Sequence, residues 1–249
     1  LFFTFHFSLF TSSAQSPGWL WAKNAGGTVD EFGNSITSDK KGNTIVTGTF
    51  ESATLSFGNY TLFNTGFTGS TDIFIAKYDS AGNVLWAKSA GGYKDEYATG
   101  ISADTGGYIY ITGTYNSNQM LFGFIPITNS GSVDFFIAKY DPDGNSLWAK
   151  GCIGTSSDYS SSVATDPFGD VYVTGYYNSP TLAFDDSSEI LTNSSSLTSD
   201  IFLVKMNRSG KVLWTKTAAG TSSKNDYAKC VSADMNGNVL LTGYFKSLL

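Results

Sequence analysis

The sequence is poor in the residues that most often carry chemistry. Its 249 residues hold one histidine, His6. That residue sits in the first ten positions, so a Ser-His-Asp set and histidine metal ligation are excluded from the rest of the chain. The two cysteines, Cys152 and Cys230, fall at different positions of the pattern described below. No disulfide between them is expected, and no spacing suits a zinc site. Net charge is −6 with the lysines dispersed, which leaves no basic stripe and argues against nucleic-acid binding. No run keeps a 3.6-residue period long enough for a helix. The longest apolar run, Leu1 to Phe10, is too short to cross a membrane.

What is abundant is repetition. The stretch D-I-F-I-A-K-Y-D-S-A-G-N-V-L-W-A-K, Asp72 to Lys88, returns at Asp134 to Lys150 and at Asp200 to Lys216, with a headless copy at Trp19 to Lys23. Trp21, Trp86, Trp148 and Trp214 stand 65, 62 and 66 residues apart. Self-similarity at such a period marks a repeat architecture. Ile73–Tyr78 and Val84–Lys88 are strand-like runs around a Gly-containing turn, hence a β-hairpin. In the first run Phe74, Ala76 and Tyr78 face one way and Ile73, Ile75 and Lys77 the other. Both faces are largely apolar, so the sheet is expected to be covered on both sides.

A second hairpin precedes each copy. Ile36, Asp39, Gly42 and Thr47-Gly48 recur as Ile101, Asp104, Gly107 and Thr112-Gly113, then Val163, Asp166, Gly169 and Thr174-Gly175, then Val231, Asp234, Gly237 and Thr242-Gly243. About 22 residues rich in Ser, Thr, Asn and Gly follow and read as a long loop or a short extra hairpin. Four strands, A to D, per repeat of about 65 residues predict an all-β propeller of four-stranded blades. The expected blades are 31–92, 96–154 and 158–220, with a D strand at 18–24 and a partial blade at 226–249; the array is read as incomplete, three full blades plus parts of others. Residues 15–249 form the repeat domain. Residues 1–14 resemble the apolar core and small-residue cleavage site, Ser12-Ser13-Ala14, of a secretory signal peptide.

The combined pattern is similar to the bacterial SBBP repeat family, whose name refers to a seven-bladed β-propeller. It runs from Phe-Gly through a polar stretch, D-I-F-I-A-K-Y-D-x-x-G-N-x-L-W-A-K and A-G-G to an acidic-aromatic pair and I-x-x-D-x-x-G-x-x-x-x-T-G. The resemblance covers about residues 18–249. It implies a secreted or cell-surface bacterial protein, part of a longer polypeptide with further blades or domains, and no established common activity. The third copy departs at Ile153-Gly154 and at Phe184-Asp185.

The candidate binding residues are the acidic-aromatic pairs Glu31-Phe32, Glu96-Tyr97, Asp158-Tyr159 and Asp226-Tyr227. They lie between strand D and the next strand A, which a propeller places innermost. A ring of carboxylates and aromatic faces near a channel mouth suits a cation or a sugar; the alternative is that the carboxylate caps a turn and the ring fills the gap between blades. Asp141-Pro142-Asp143-Gly144-Asn145 has a faint calcium-loop look but lacks the Glu of such a loop, so no metal and no cofactor is expected. The tryptophans read as core between blades. The expected function is that of an exported, non-enzymatic module binding glycan or protein at the cell surface, with contacts in the B-to-C segments and at the channel mouth. The alternatives are an extracellular carbohydrate-active or quinone-dependent propeller enzyme, with Asp185, Asp186 and Glu189 as its off-pattern acids, and a structural spacer.

Overall fold

The computed structural model describes residues 18, 20–184, 189–195, 197–219 and 224–246; the expected signal segment lies outside them. Among these residues there are strands and turns and no helix. In the first blade, β1 (Glu31–Ser38) and β2 (Thr44–Phe50) form hairpin A–B, β3 (Thr54–Phe57) and β4 (Tyr60–Phe63) form an extra hairpin, and β5 (Asp72–Tyr78) and β6 (Val84–Gly92) form hairpin C–D. The second blade repeats this as β7 (Glu96–Ala103), β8 (Ile109–Tyr115), β9 (Gln119–Phe122), β10 (Ile125–Thr128), β11 (Asp134–Tyr140) and β12 (Ser146–Ile153). The third has β13 (Asp158–Thr165), β14 (Val171–Tyr177), β15 (Thr181–Phe184), β16 (Leu191–Thr192), β17 (Asp200–Met206) and β18 (Val212–Ala218). A last A–B hairpin is β19 (Tyr227–Ala233) and β20 (Val239–Tyr244).

Each blade is an antiparallel sheet in the order A-B-C-D. The A strands β1, β7, β13 and β19 lie against one another in succession, so they gather at the axis and the D strands form the rim. This is the β-propeller arrangement that the repeat predicts. The B-to-C segments resolve as hairpins, and each reaches back to the preceding blade. β9 pairs with the end of β6 through Gly91–Leu121 and Gly92–Met120, and β15 pairs with β12 through Cys152–Phe184 and Ile153–Ala183. In place of the expected strand at 18–24, the described residues before β1 make one bridge, Gly26 to Ser56. No described strand runs alongside to complete a ladder there.

The core lies between blades. β5 and β11 are buried along their whole length, as the two-faced apolar pattern predicts. Ile73 and Ile75 pack with Phe136, Ala138 and Tyr140 of the next blade, while Phe74 and Ala76 pack on the other side with Leu55 and Phe57. Phe135 and Ile137 likewise meet Phe202 and Val204 of the third blade. Each sheet is a septum between two apolar layers, and a buried side chain of this size contributes on the order of 1.5–3 kcal/mol.

The tryptophans pin these layers. Trp86 Nε1 donates to Pro142 O at 3.0 Å, in the C–D turn of the following blade. Its ring lies so close over Gly144 that a Cβ there would approach it to 2.8 Å. Trp21 does the same over Gly82, and Trp148 over Gly210. A D-strand bulge makes this possible. Lys77 pairs with Trp86 and Tyr78 with Val84, leaving Leu85 unpaired and exposed beside a buried indole.

Candidate functional site

Wherever one blade meets the next, two acidic residues are buried together. One opens the C strand: Asp72, Asp134 or Asp200. The other opens the next A strand: Glu96, Asp158 or Asp226. All six are at most 1 % exposed. Backbone pairing fixes the approach: Glu96 N donates to Thr71 O at 2.8 Å, Asp158 N to Val133 O at 2.7 Å and Asp226 N to Ser199 O at 2.8 Å. Burial of a charged group is tolerated where hydrogen bonds or a partner compensate it, and the polar segment after each extra hairpin supplies them. Asp72 Oδ2 accepts from Thr65 N and Oγ1, at 2.8 and 2.9 Å. Asp134 Oδ2 accepts from Ser130 N and Oγ, at 2.7 and 2.9 Å. Asp200 accepts from Ser194 N and Oγ, at 2.6 and 2.9 Å.

The A-strand acids cap the end of strand B. Glu96 accepts from Gly92 N at 2.8 Å and Ser117 N at 3.3 Å. Asp158 accepts from Asn178 N, Ser179 N and Ser179 Oγ, the last at 2.6 Å. Asp226 accepts from Lys246 N at 2.8 Å. Glu31, in a less enclosed position, takes the hydroxyl of Ser52.

Burial is the main cause of the shifted acidities. It pushes Asp72 up to about 6 and Glu96 up to about 7, with the neighbouring Asp72 charge adding to the rise at Glu96. The nearby Glu96 acts the other way on Asp72. Burial also raises Asp134, Asp158 and Asp200 above the usual carboxylate range. The Cys152 thiol, buried beside Asp134 and Asp158, is driven well above its ordinary value by the same desolvation, with the two carboxylates adding to it.

The structure separates the two members of each acidic-aromatic pair. Glu96, Asp158 and Asp226 point into the junction, whereas the neighbouring rings face the axis side. Phe32 and Tyr97 are exposed, and Tyr159 and Tyr227 are half-buried. Tyr159 stacks on Tyr176 at 5.0 Å, and Tyr176 meets Tyr227 edge-on at 4.5 Å. The C-strand acids Asp72, Asp134 and Asp200 were not among the sequence candidates. Their signal was present, since each opens the repeated stretch, but only the pairing of strands brings them to the A-strand acids 24 to 26 residues later.

Two other sequence features resolve as turn chemistry. Asp141 Oδ1 accepts from Asp143 N and Asn145 N, and Oδ2 from Asn145 Nδ2, so this loop uses its lead carboxylate to close itself. Asp39, Asp79 and Asp234 do the same. Both cysteines are free thiols, Cys152 buried and Cys230 exposed. Of the off-pattern acids, Asp185 and Asp186 lie outside the described residues; Glu189 bonds Thr215 Oγ1 at 3.4 Å.

At the rim, the same groove occurs at two successive junctions. One, of about 400 Å³, is lined by Lys23, Asn59, Tyr60, Tyr78 and Asn83. The other, of about 240 Å³, is lined by Lys88, Ser89, Phe124, Tyr140 and Asn145. In each, a lysine two residues after a repeated tryptophan, Lys23 or Lys88, meets the extra-hairpin tip and the C–D turn of the next repeat.

The repeat-family model and a curated relative agree with this architecture. The model of the SBBP beta-propeller repeat matches residues 151–180. An uncharacterized WD repeat-containing protein of Acanthamoeba polyphaga mimivirus is 28 % identical over 92 % of this chain, which covers 19 % of that protein. The regulatory protein FlaEY of Caulobacter vibrioides is 26 % identical over 51 % of this chain, covering 13 % of its own length. The chain thus spans a fifth or less of the curated relatives it matches. A solved structure of a protein of unknown function from Bacteroides caccae matches 78 % of this chain and 85 % of its own, at 13 % identity and a TM-score of 0.26.

Proposed function

We propose that this propeller is a non-enzymatic binding module that takes a repetitive glycan along its rim. The observation that carries the reading is the recurrence of one groove at two junctions, with lysine, tyrosine and asparagine at equivalent positions (Lys23, Tyr78 and Asn83; Lys88, Tyr140 and Asn145) and a ring on each hairpin tip at neighbouring positions. Each groove has an exposed ring at its lip, Tyr60 or Phe124, which offers a stacking face to a sugar. Lys23 or Lys88 and the amide of Asn83 or Asn145 supply polar partners beside it. Variable loops on a rigid scaffold are where recognition usually resides, and here the extra hairpins are those loops. The buried placement of the carboxylate pairs supports binding over hydrolysis, since a glycosidase needs two acids flanking its substrate. The exposed rings at the axis, Phe32 and Tyr97, form a second region suited to an apolar or sugar face. An exported, cell-surface setting is part of the proposal and rests on the apolar N-terminal run.

The test is a glycan array read with the wild-type chain and with Phe124→Ala and Lys88→Ala. Binding to a polymeric glycan, weakened about tenfold by Phe124→Ala (about 1.4 kcal/mol of stacking), supports the reading. Capture of a protein with a blank array turns it toward scaffolding, and two blank results overturn it.

A further inference from the structure

The second junction differs from the first at two positions that face each other. At the first, Ala90 and Glu96 occupy these positions near Asp72, whose Oδ1 is buried without a hydrogen-bond partner. At the second, Cys152 replaces the alanine and Asp158 replaces the glutamate. The shorter Asp158 spends its oxygens on Asn178, Ser179 and the Ser179 hydroxyl. Asp134 Oδ1, like Asp72 Oδ1, is fully buried without a hydrogen-bond partner. What the second junction adds is the thiol: Asp134, Cys152 and Asp158 each present a ligand atom within 4.8 Å of the others, and all three are buried.

The walls contribute further oxygen. A Cβ on Gly131 would lie 3.1 Å from Asp134 Oδ1, 3.0 Å from Gly154 O and 2.2 Å from Ser156 O. These three oxygens therefore close around a point that no side chain fills. An orphaned buried carboxylate oxygen is costly unless something positive or a proton donor meets it. One sulfur with several oxygens is a donor set of intermediate softness, suited to a divalent ion such as Zn²⁺ or Co²⁺ rather than Mg²⁺ or Ca²⁺.

We propose that Asp134, Cys152 and Asp158 form a divalent transition-metal site that clamps the second and third blades. The ion coordinates Asp134 Oδ1, the Cys152 sulfur and an Asp158 oxygen, and the thiol proton leaves to solvent as the sulfur binds. The ligands come from strands β11, β12 and β13, so the ion ties the C and D strands of one blade to the A strand of the next. The other described junctions carry Ala90 or Ala218 at the cysteine position, so one site per chain is expected.

The test is a Co²⁺ titration of the metal-stripped chain, read by the near-ultraviolet thiolate-to-cobalt absorption. A melting curve with and without Zn²⁺ accompanies it. One equivalent of cobalt should develop the band, and Zn²⁺ should raise the melting temperature. Cys152→Ala, which restores the residue of the sister junctions, should abolish both while the chain stays folded. Cys230→Ser should leave them unchanged. No band from the folded wild-type chain, or a band that survives Cys152→Ala and vanishes in Cys230→Ser, overturns the proposal.

Discussion

Replacing Trp86 by alanine removes a ring that touches two blades at once. The indole is 7 % exposed, covers Gly144 and bonds Pro142 O. Its loss is expected to cost about 3–5 kcal/mol, read as a fall in the denaturation midpoint. Leu85, its neighbour in the chain and equally recurrent in the repeat, projects outward from the bulge at 42 % exposure. Leu85→Ser should shift stability by no more than about 0.5 kcal/mol, although sequence repetition gives the two positions equal weight. Gly48 makes a third case. A Cβ there would lie 1.9 Å from Phe32 O and 2.8 Å from the Phe74 ring. Gly48→Ala should therefore destabilise the first blade by about 1–3 kcal/mol, and circular dichroism melts would show it. The recurring Thr-Gly is explained on both counts, because Thr47 Oγ1 also donates to Phe74 O at 2.8 Å.

At the scale of paired strands, the first junction makes stability depend on pH. Asp72 opens β5 and Glu96 opens β7, and burial raises both above their ordinary values, to about 6 and about 7. The groups around them are Thr65, Ser117 and Asp95, the last accepting from Thr71 N at 3.2 Å. The folded state therefore holds a proton that the unfolded chain releases. Its stabilising contribution is complete below about pH 4, the range in which the unfolded carboxyls titrate, and is lost as pH rises through 6 and 7. Denaturant unfolding across pH 5 to 8 should show stability falling toward pH 8. Glu96→Gln, which removes the more strongly raised of the two groups, should flatten that slope; an unchanged slope would remove Glu96 as its cause. Each A strand also carries a bulge at one register position, between Gly33 and Ser35, Ala98 and Gly100, Ser160 and Ser162, and Ala228 and Cys230. Sequence periodicity did not mark it, because a bulge adds a residue without changing composition.

For the molecule as a whole, stability is a sum over junctions, since each blade touches its neighbours and little else. Amide exchange should be slowest in β5 and β11, which are buried throughout and paired on both sides. A glycan held in successive rim grooves should slow exchange in the hairpins β3–β4 and β9–β10 together.

The sequence by itself determined the repeat, the four strands of each blade, the Asp-x-x-Gly turns and the two-faced burial of the C strands. These are local or periodic properties, set by side-chain alternation and turn residues within a few positions. The placement of the tryptophans between blades followed from the same reasoning. Only the tertiary structure decided the rest. It turned Glu96, Asp158 and Asp226 inward to meet Asp72, Asp134 and Asp200, while leaving Phe32 and Tyr97 exposed. It folded the polar B-to-C segments into hairpins that reach the preceding blade, and it set Cys152 beside two carboxylates. Such contacts join residues far apart in the chain, and the packing of one sheet against the next chooses them. No window of sequence contains that information.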